Sequence, residues 1–160
     1  MEESSFTDFI QSHVAGAYRL AAAIIGNRGD AEDAAGAAIL NAWKHWPRLR
    51  DQSRAEAWFN RIVVNACRDQ LRRQRRTGFA AVVDTAPGDE RLAERDLVYG
   101  VLARLRLDHR VILVLRYYDD RPLADIADQL GIPLGTVKSR LNAASRSFRT
   151  MLIEVEGISP

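Results

Sequence analysis

The sequence predicts an all-α protein made of two small helical domains joined by a flexible linker. Apolar residues recur at three- and four-residue spacing along nearly the whole chain, and no stretch alternates apolar and polar residues as a strand would. The helical pattern breaks between residues 78 and 90, where Pro87 and Gly88 favour irregular backbone. We therefore predict domains over 1–77 and 91–160 and a linker over 78–90.

Three helices are expected in the N-terminal domain. The first ends near Gly26, and Asp30 is expected to cap the second, which stops before Pro47. Ser53 and Glu56 have the spacing of a capping box and open the third helix, which runs to about Arg76. The apolar stripes of these helices comprise Phe6, Ile10, Val14, Ala17, Ala21 and Ile24, then Ile39, Leu40 and Trp43, then Ala55, Trp58, Phe59, Ile62, Val63 and Ala66. By the same spacing, the three tryptophans, Trp43, Trp46 and Trp58, are interpreted as core residues rather than base-stacking platforms.

The C-terminal domain is expected to begin with a helix near Glu90, followed by an apolar helix around residues 111–115. Pro122 suits the first position of a short third helix, and Gly131 provides the permissive backbone for a tight turn. A longer helix follows Pro133. A short helix, a glycine-containing turn and a longer helix together describe a helix-turn-helix unit.

Positive charge is concentrated in short stretches of the chain. The formal net charge is only +2, yet residues 48–76 carry 9 basic and 3 acidic side chains. From Leu134 to Arg149 there are 4 basic side chains and no acidic one. Lys and Arg side chains that face phosphates release condensed counterions, so both stretches suit nucleic-acid binding. The alternative for each stretch is an ordinary solvated helix face.

The last helix separates into two faces at about 100° per residue. Its polar face suits a major groove, where Lys, Ser and Asn contact base edges and Arg grips phosphates. The core side carries Val137, Leu141, Ala144, Phe148 and Leu152, and the polar side carries Gly135, Lys138, Ser139, Asn142, Arg146 and Arg149.

Several classes of protein do not fit the sequence. No run of 18 or more apolar residues appears, and the acidic start at Met1 does not resemble a secretory signal, so we expect a cytoplasmic protein without membrane insertion. The single cysteine, Cys67, cannot form an internal disulfide, and three scattered histidines do not form a zinc site. No catalytic constellation or phosphate-cradling glycine loop is found. We therefore expect neither an enzyme nor a bound cofactor or metal.

Two sets of motifs resemble the extracytoplasmic-function (ECF) sigma factors, a family of transcription initiation factors. The C-terminal set resembles region 4 of that family, above all through its Gly-x-Pro-x-Gly-Thr-Val-Lys-Ser-Arg-Leu run. The N-terminal set resembles region 2. The first set spans residues 115–120, 123–127 and 130–141, and the second comprises residues 30–33, Ala42, Trp43, Trp46, 57–59, Arg61, Ile62, Asn65, Asp69 and 71–73.

The resemblance implies a non-enzymatic adaptor that binds core RNA polymerase and promoter DNA. Region 2 would dock on polymerase through its second helix, while the third helix would open the −10 element and flip a base beside the loop 48–53. An anti-sigma factor is a further candidate partner, and we expect a monomer when the protein is free. The implied −35 residues are Gly135, Thr136, Lys138, Ser139, Arg140, Asn142 and Arg146; the −10 residues are Arg61, Asn65, Arg68, Arg72 and Arg73; the polymerase-binding residues are Asp30, Glu32, Asp33 and Asn41.

One departure from the family pattern bears on polymerase binding. Gly36 and Ala37 replace a polar pair that the family uses against core polymerase, and Gly36 weakens its helix by up to about 1 kcal/mol. Either core affinity is low, or the contact rests on the other polar residues of that helix. Two alternatives therefore stay open: a DNA-binding regulator that has lost productive core binding, and a nucleic-acid-acting enzyme whose catalytic residues the sequence does not display.

Overall fold

A computed structural model describes residues 2–77 and 90–157, and these residues form two compact helical units. No strand occurs within the two ranges. The prediction of an all-α protein with two helical domains is therefore confirmed. The predicted linker over 78–90 lies, apart from Glu90, outside the described residues and stays a prediction.

The first unit contains helices α1 (Glu2–Ile25), α2 (Arg28–His45) and α3 (Ala55–Thr77), which pack against one another. Two short 3-10 turns, Trp46–Arg48 and Gln52–Arg54, lie between α2 and α3. The buried face of α2 consists of alanines alone, which lets its neighbours approach closely because interaxial distance depends on the side chains at the contact. Its members are Ala31, Ala34, Ala35, Ala38 and Ala42.

Asn27, rather than Asp30, caps α2. Asn27 has extended backbone (φ −109°, ψ 127°), and its Oδ1 accepts the backbone N–H of Asp30 at 3.0 Å. The predicted cap is therefore wrong: α2 begins at Arg28, since Asn caps a helix as well as Asp does and lies directly after the left-handed turn at Gly26 (φ 82°). Asp30 stands in the first helical turn, where a carboxylate complements the helix dipole.

The start of α3 also differs from its prediction. Asp51 accepts both the backbone N–H and the hydroxyl of Ser53, which closes the preceding 3-10 turn. The helix then begins at Ala55, so its predicted opening by Ser53 is wrong. The predicted apolar stripe of α3 does face inward, with Ala55, Phe59 and Val63 buried and Trp58, Ile62 and Ala66 half-buried.

Three residues assigned to the core by their spacing lie largely in solvent. The exposed fraction is 39% for Val14, 53% for Leu40 and 52% for Trp43. Because α2 turns its alanine face inward, side chains on its opposite side project outward, and Leu40 and Trp43 are among them. Trp46 is buried and Trp58 half-buried, with their ring centroids 6.1 Å apart. The core interpretation thus holds for Trp46 and in part for Trp58, and is wrong for Trp43.

The second unit contains α4 (Glu90–Arg104), α5 (Leu107–Leu113), α6 (Leu123–Leu130) and α7 (Leu134–Glu156). A π-helical turn over Val114–Tyr118 continues α5. α7 contacts α4, α5 and α6. The buried centre of this unit includes Val101, Leu105, Val111, Ile112, Leu115, Ile126 and Val137.

The connection from α6 to α7 is a tight glycine turn. Gly131 ends α6 in the left-handed conformation (φ 66°, ψ 35°), and the N–H of Ile132 binds the Ala127 carbonyl at 3.1 Å. At the other end of α6, Pro122 has a ψ of 152° and stands at the N-cap rather than at the first helical position, one residue earlier than predicted. The order of short helix, glycine turn and longer helix is the one that the sequence predicts.

Candidate nucleic-acid interface

One face of α7 is polar, basic and open to solvent. Beneath it, Val137 and Ala144 are buried, and Leu141, Phe148 and Leu152 are half-buried. No acidic side chain interrupts this face between Leu134 and Arg149. The apolar Leu134 at the start of the helix is exposed, as are all members of the predicted polar set: Gly135, Lys138, Ser139, Asn142, Arg146 and Arg149.

Two residues of the predicted −35 set are less exposed to solvent than the others. Thr136 and Arg140 are half-buried, at the border between the polar face and the core. The hydroxyl of Ser139 donates to the Thr136 carbonyl at 3.2 Å, which leaves its oxygen to accept from a ligand. The open centre of the face is therefore formed by the amide and cationic groups of Asn142, Lys138 and Arg146.

The imidazole of His109, on α5, interacts electrostatically with charged residues of this unit, among them Arg140 of α7. Burial lowers the pKa of His109, and the positive charges of Arg106 and Arg140 lower it further, against the opposing carboxylate of Asp108. The folded state thus disfavours protonation of this imidazole. The positive charge of this unit's polar surface then comes from its Lys and Arg side chains.

A second basic stripe runs along α3. Phe59, Val63 and Cys67 are buried on one side of the helix, and the polar residues occupy the other. Arg68 is half-buried and interacts within the unit, so it belongs less to the open surface than predicted. Towards the end of the helix, a depression is lined by Asp69, Arg72, Arg73 and Arg76. The exposed members of the stripe are Arg61, Asn65, Arg72, Arg73 and Arg76.

A concave site lies where α2, the following loop and α3 meet. The loop contributes Arg48, Leu49 and Arg50, and α3 contributes the half-buried Trp58 beside Ile62. α2 contributes Asn41 and His45. The site combines an aromatic surface, two guanidinium groups and an amide, which are the groups that hold an unstacked base and its phosphate.

Asn41, which is predicted to contact polymerase, lines the concave site together with His45. Asn41 was grouped with acidic residues as a polymerase contact, whereas here it lines the concave site. His45 Nδ1 lies 2.9 Å from the Asn41 carbonyl. Because the two residues are four apart on one helix, they share a face. That spacing is visible in the sequence and is the signal by which His45 could have been found.

Asp30 is tied to α3 rather than free in solvent. Its Oδ2 accepts from Gln74 Nε2 at 2.6 Å and its Oδ1 from Gln70 Nε2 at 3.3 Å. Gln70 Oε1 in turn accepts from an Arg73 guanidinium nitrogen at 2.9 Å. The sequence reasoning missed both glutamines, since only their spacing of four is visible and their partner lies 40 or more residues away along the chain.

The outer face of α2 carries the remaining residues assigned to polymerase binding. Glu32 and Asp33 are exposed, as are Gly36 and Ala37. A Cβ atom added at Gly36 would meet no atom within 4 Å. With Leu40 and Trp43 also exposed, this face is mixed acidic and apolar and has open space at its centre.

The thiol of Cys67 and the candidate metal ligands add little to these two basic surfaces. Burial raises the pKa of the Cys67 thiol to about 12, which keeps it protonated and unreactive. Among residues 2–77 and 90–157 no group of His, Cys, Asp and Glu side chains is placed to hold a metal ion. Over the same residues no helix is long and apolar enough to cross a bilayer.

Comparison with known protein families assigns both units. Residues 9–77 match the family described as Sigma-70 region 2, and residues 101–150 match Sigma-70, region 4. The first match contains α2, α3 and the concave site. The second contains α5, α6 and the polar face of α7.

Individual proteins agree with these matches. The chain is 34% identical over 152 residues to ECF RNA polymerase sigma factor SigL of Mycobacterium tuberculosis, covering 89% of this chain and 86% of that protein. It is 32% identical to SigM of the same organism, covering 92% and 77%. Among solved structures, the sigma factor RpoE in complex with the anti-sigma factor NepR from Bartonella quintana has a TM-score of 0.74 at 21% identity, covering 98% of this chain and 99% of that one.

Proposed function

This chain belongs to the extracytoplasmic-function family of RNA polymerase sigma factors, which direct transcription initiation, and we propose that its two units divide that task. The unit over 1–77 binds core RNA polymerase and the −10 element. The unit over 91–160 binds the −35 element, and 78–90 links the two. The observation that carries this proposal is the acid-free exposed face of α7 above a fully apolar core side.

The −35 element is read as duplex DNA by α7. The turn at Gly131 fixes the start of the helix against α6, in the manner of a helix-turn-helix unit that presents its second helix to the major groove. In this proposal Lys138 and Asn142 contact base edges, and Arg146 contacts phosphate. Thr136 and Arg140, being half-buried, contribute from the rim of the face.

The −10 element is opened along α3. The arginine stripe attracts the phosphates, and the concave site beside Trp58 accepts one unstacked base. Binding of the unpaired strand offsets the lost stacking and pairing, so opening needs no nucleotide hydrolysis by this chain. We therefore propose a binding adaptor rather than an enzyme, acting in the cytoplasm without a cofactor.

Core polymerase binds the outer face of α2. Glu32 and Asp33 supply exposed carboxylates there, and Leu40 and Trp43 supply apolar surface. The solved structures that share this fold include complexes with anti-sigma factors, which supports such a protein as a further partner. The free protein is proposed to be a monomer.

Co-elution with core polymerase, followed by run-off transcription on promoters selected with the complex, tests the assignment. In the same assay Lys138→Ala or Arg146→Ala should weaken binding to the −35 duplex and leave core binding intact. Arg104→Ala is the matched control, because Arg104 is exposed in the same unit but lies on α4. Equal loss of core binding in the α7 variants would contradict the division of tasks.

A second function is favoured by one observation. Gly36 and Ala37 leave the centre of the polymerase face without side chains that can hydrogen-bond. A regulator that binds DNA but not core polymerase would have such a face. Duplex binding without co-elution would establish that function in place of the first.

A further inference from the structure

A chain of hydrogen bonds joins the start of α2 to the DNA-facing stripe of α3. It begins at Asn27, whose Oδ1 accepts the Asp30 N–H at 3.0 Å. It continues from Gln70 Nε2 to Asp30 Oδ1 at 3.3 Å and from an Arg73 guanidinium nitrogen to Gln70 Oε1 at 2.9 Å. Gln74 adds a second, shorter bond to the same carboxylate, at 2.6 Å.

The chemistry of Asp30 sets the direction of this chain. An ionised carboxylate accepts hydrogen bonds and donates none, so Gln70 must turn its amide nitrogen towards Asp30. The amide oxygen of Gln70 then points the other way, which is where it accepts from Arg73. A neutral amide at position 30 would admit the opposite orientation of Gln70, with an NH₂ group facing the guanidinium.

The first part of this chain of hydrogen bonds is half-buried, and its end at Arg73 is open to solvent. Asp30, Gln70 and Gln74 are half-buried between α2 and α3, whereas Arg73 is exposed beside Arg72 and Arg76. An unrestrained arginine on an exposed helix loses much side-chain freedom when it binds a phosphate. Holding its guanidinium in advance reduces that entropy loss on binding.

From this geometry we propose that Asp30 is a positioning residue for the −10 contact, acting through Gln70 on Arg73, and not a direct contact of core polymerase. The inference rests on the proposed role of α3 in opening the −10 element. It separates Asp30 from Glu32 and Asp33, which are exposed on the same helix. One short segment at the start of α2 would therefore serve both the polymerase face and the DNA face.

The test uses holoenzyme reconstituted from core polymerase and the full chain. Asp30→Asn should slow promoter opening about 3- to 10-fold, the range expected for the loss of one hydrogen-bonded arrangement of a charged group. Core affinity should be unchanged. Asp8→Asn is the matched control, since it makes the same change at an exposed position of α1 to which neither polymerase nor DNA binding is assigned.

A double-mutant cycle distinguishes positioning from a merely structural effect. If Asp30 acts through Arg73, then Asp30→Asn should add little to the opening defect of Arg73→Ala. Gln70→Leu should show the same dependence on Arg73, and it keeps the Asp30 carboxylate in the first turn of α2 should Asp30→Asn reduce folding. Additive defects in both cycles would overturn the proposal, as would a loss of core affinity in Asp30→Asn alone.

The proposed role of α3 at the −10 element and the positioning role of Asp30 are contradicted by different outcomes. An opening rate that Arg73→Ala leaves unchanged would remove this part of α3 from the −10 contact, and with it the proposed function of the stripe. A defect in Arg73→Ala with normal opening in both Asp30→Asn and Gln70→Leu would keep that function and remove the positioning role.

Discussion

The guanidinium of Arg110 donates from Nε to the backbone carbonyl of Leu102 at 2.8 Å. A terminal nitrogen of the same group donates to Ala103 at 2.8 Å and to Leu105 at 3.5 Å. Arg110 is only 7% exposed. These carbonyls belong to the C-terminal end of α4 and the residue after it, where helical backbone donors run out, although the Leu102 carbonyl also accepts the N–H of Leu105 at 3.2 Å. A cation there also complements the negative end of the helix dipole.

Replacement of Arg110 should destabilise the second unit substantially. Arg110→Met keeps the apolar stem but removes the side-chain donor from three carbonyls, so we expect a loss of about 2–4 kcal/mol in the free energy of unfolding. Urea unfolding of the full chain, monitored with a spectroscopic probe in the second unit, measures the loss. Arg104→Ala, at an exposed position of α4, should change the value little. A near-neutral Arg110→Met would contradict the capping role.

The backbone of Asp120 has a left-handed conformation, which is strained for a residue with a side chain. Within the described residues, Asp120 is the non-glycine residue with a positive φ, at 52°. Left-handed backbone costs an ordinary residue roughly 1–2 kcal/mol and glycine almost nothing, although Asp tolerates it better than most. We therefore expect Asp120→Gly to raise the stability of the second unit by roughly 0.5–1 kcal/mol.

Asp119 provides the matched control for that substitution. Its backbone is right-handed (φ −89°), and its carboxylate accepts from Arg121 Nε at 2.8 Å. Asp119→Gly should therefore lower the stability, by loss of this ion pair and by added freedom of the unfolded chain. Opposite signs of the two melting-temperature shifts support the strain argument, and a shared sign speaks against it.

Helical periodicity was sufficient to predict the order of the helices, because a helix that buries one face repeats its apolar residues whatever its neighbours are. It failed at Leu40 and Trp43, where the face that meets α1 and α3 is made of alanine. Alanine is only weakly hydrophobic, so the spacing of the larger apolar residues decided which face was assigned to the core. Those larger residues point outward. Close helix packing, which selects for alanine, is a tertiary property.

The candidate site likewise has one part that the sequence predicts and one part that it does not. The polar face of α7 was predictable since all its members lie on one helix and one face. The bond of Asp30 to Gln70 and Gln74 was not, because it joins residues far apart in sequence. Its neighbours Glu32 and Asp33 remain exposed, so the packing of α3 gives similar acidic residues on one turn different surroundings.

The lowered pKa of His109 predicts how pH affects the second unit. Burial and the charges of Arg106 and Arg140 disfavour its protonation in the folded state, whereas the unfolded chain protonates near the ordinary histidine pKa of 6.5. Because the unfolded state then binds the proton more readily, stability falls as the pH drops through 6.5 towards the folded pKa. His109→Gln should make the melting temperature of this unit less sensitive between about pH 7.5 and 5.5. An unchanged pH dependence would show that this histidine does not contribute to it.

Restoring polar side chains at Gly36 and Ala37 should strengthen the polymerase contact. Both positions are exposed, and a Cβ atom at Gly36 meets no neighbouring side chain within 4 Å, so we expect Gly36→Gln and Ala37→Glu to be tolerated. One or two added hydrogen bonds should tighten binding to core polymerase roughly 5- to 10-fold. Gly36→Ala separates this effect from helix stability, because it gains up to about 1 kcal/mol of helix propensity without adding a polar group. Titration of core polymerase with each variant measures the affinity. If Gly36→Ala tightens binding as much as Gly36→Gln, then the rigidity of α2, rather than a polar contact, limits the affinity of this face.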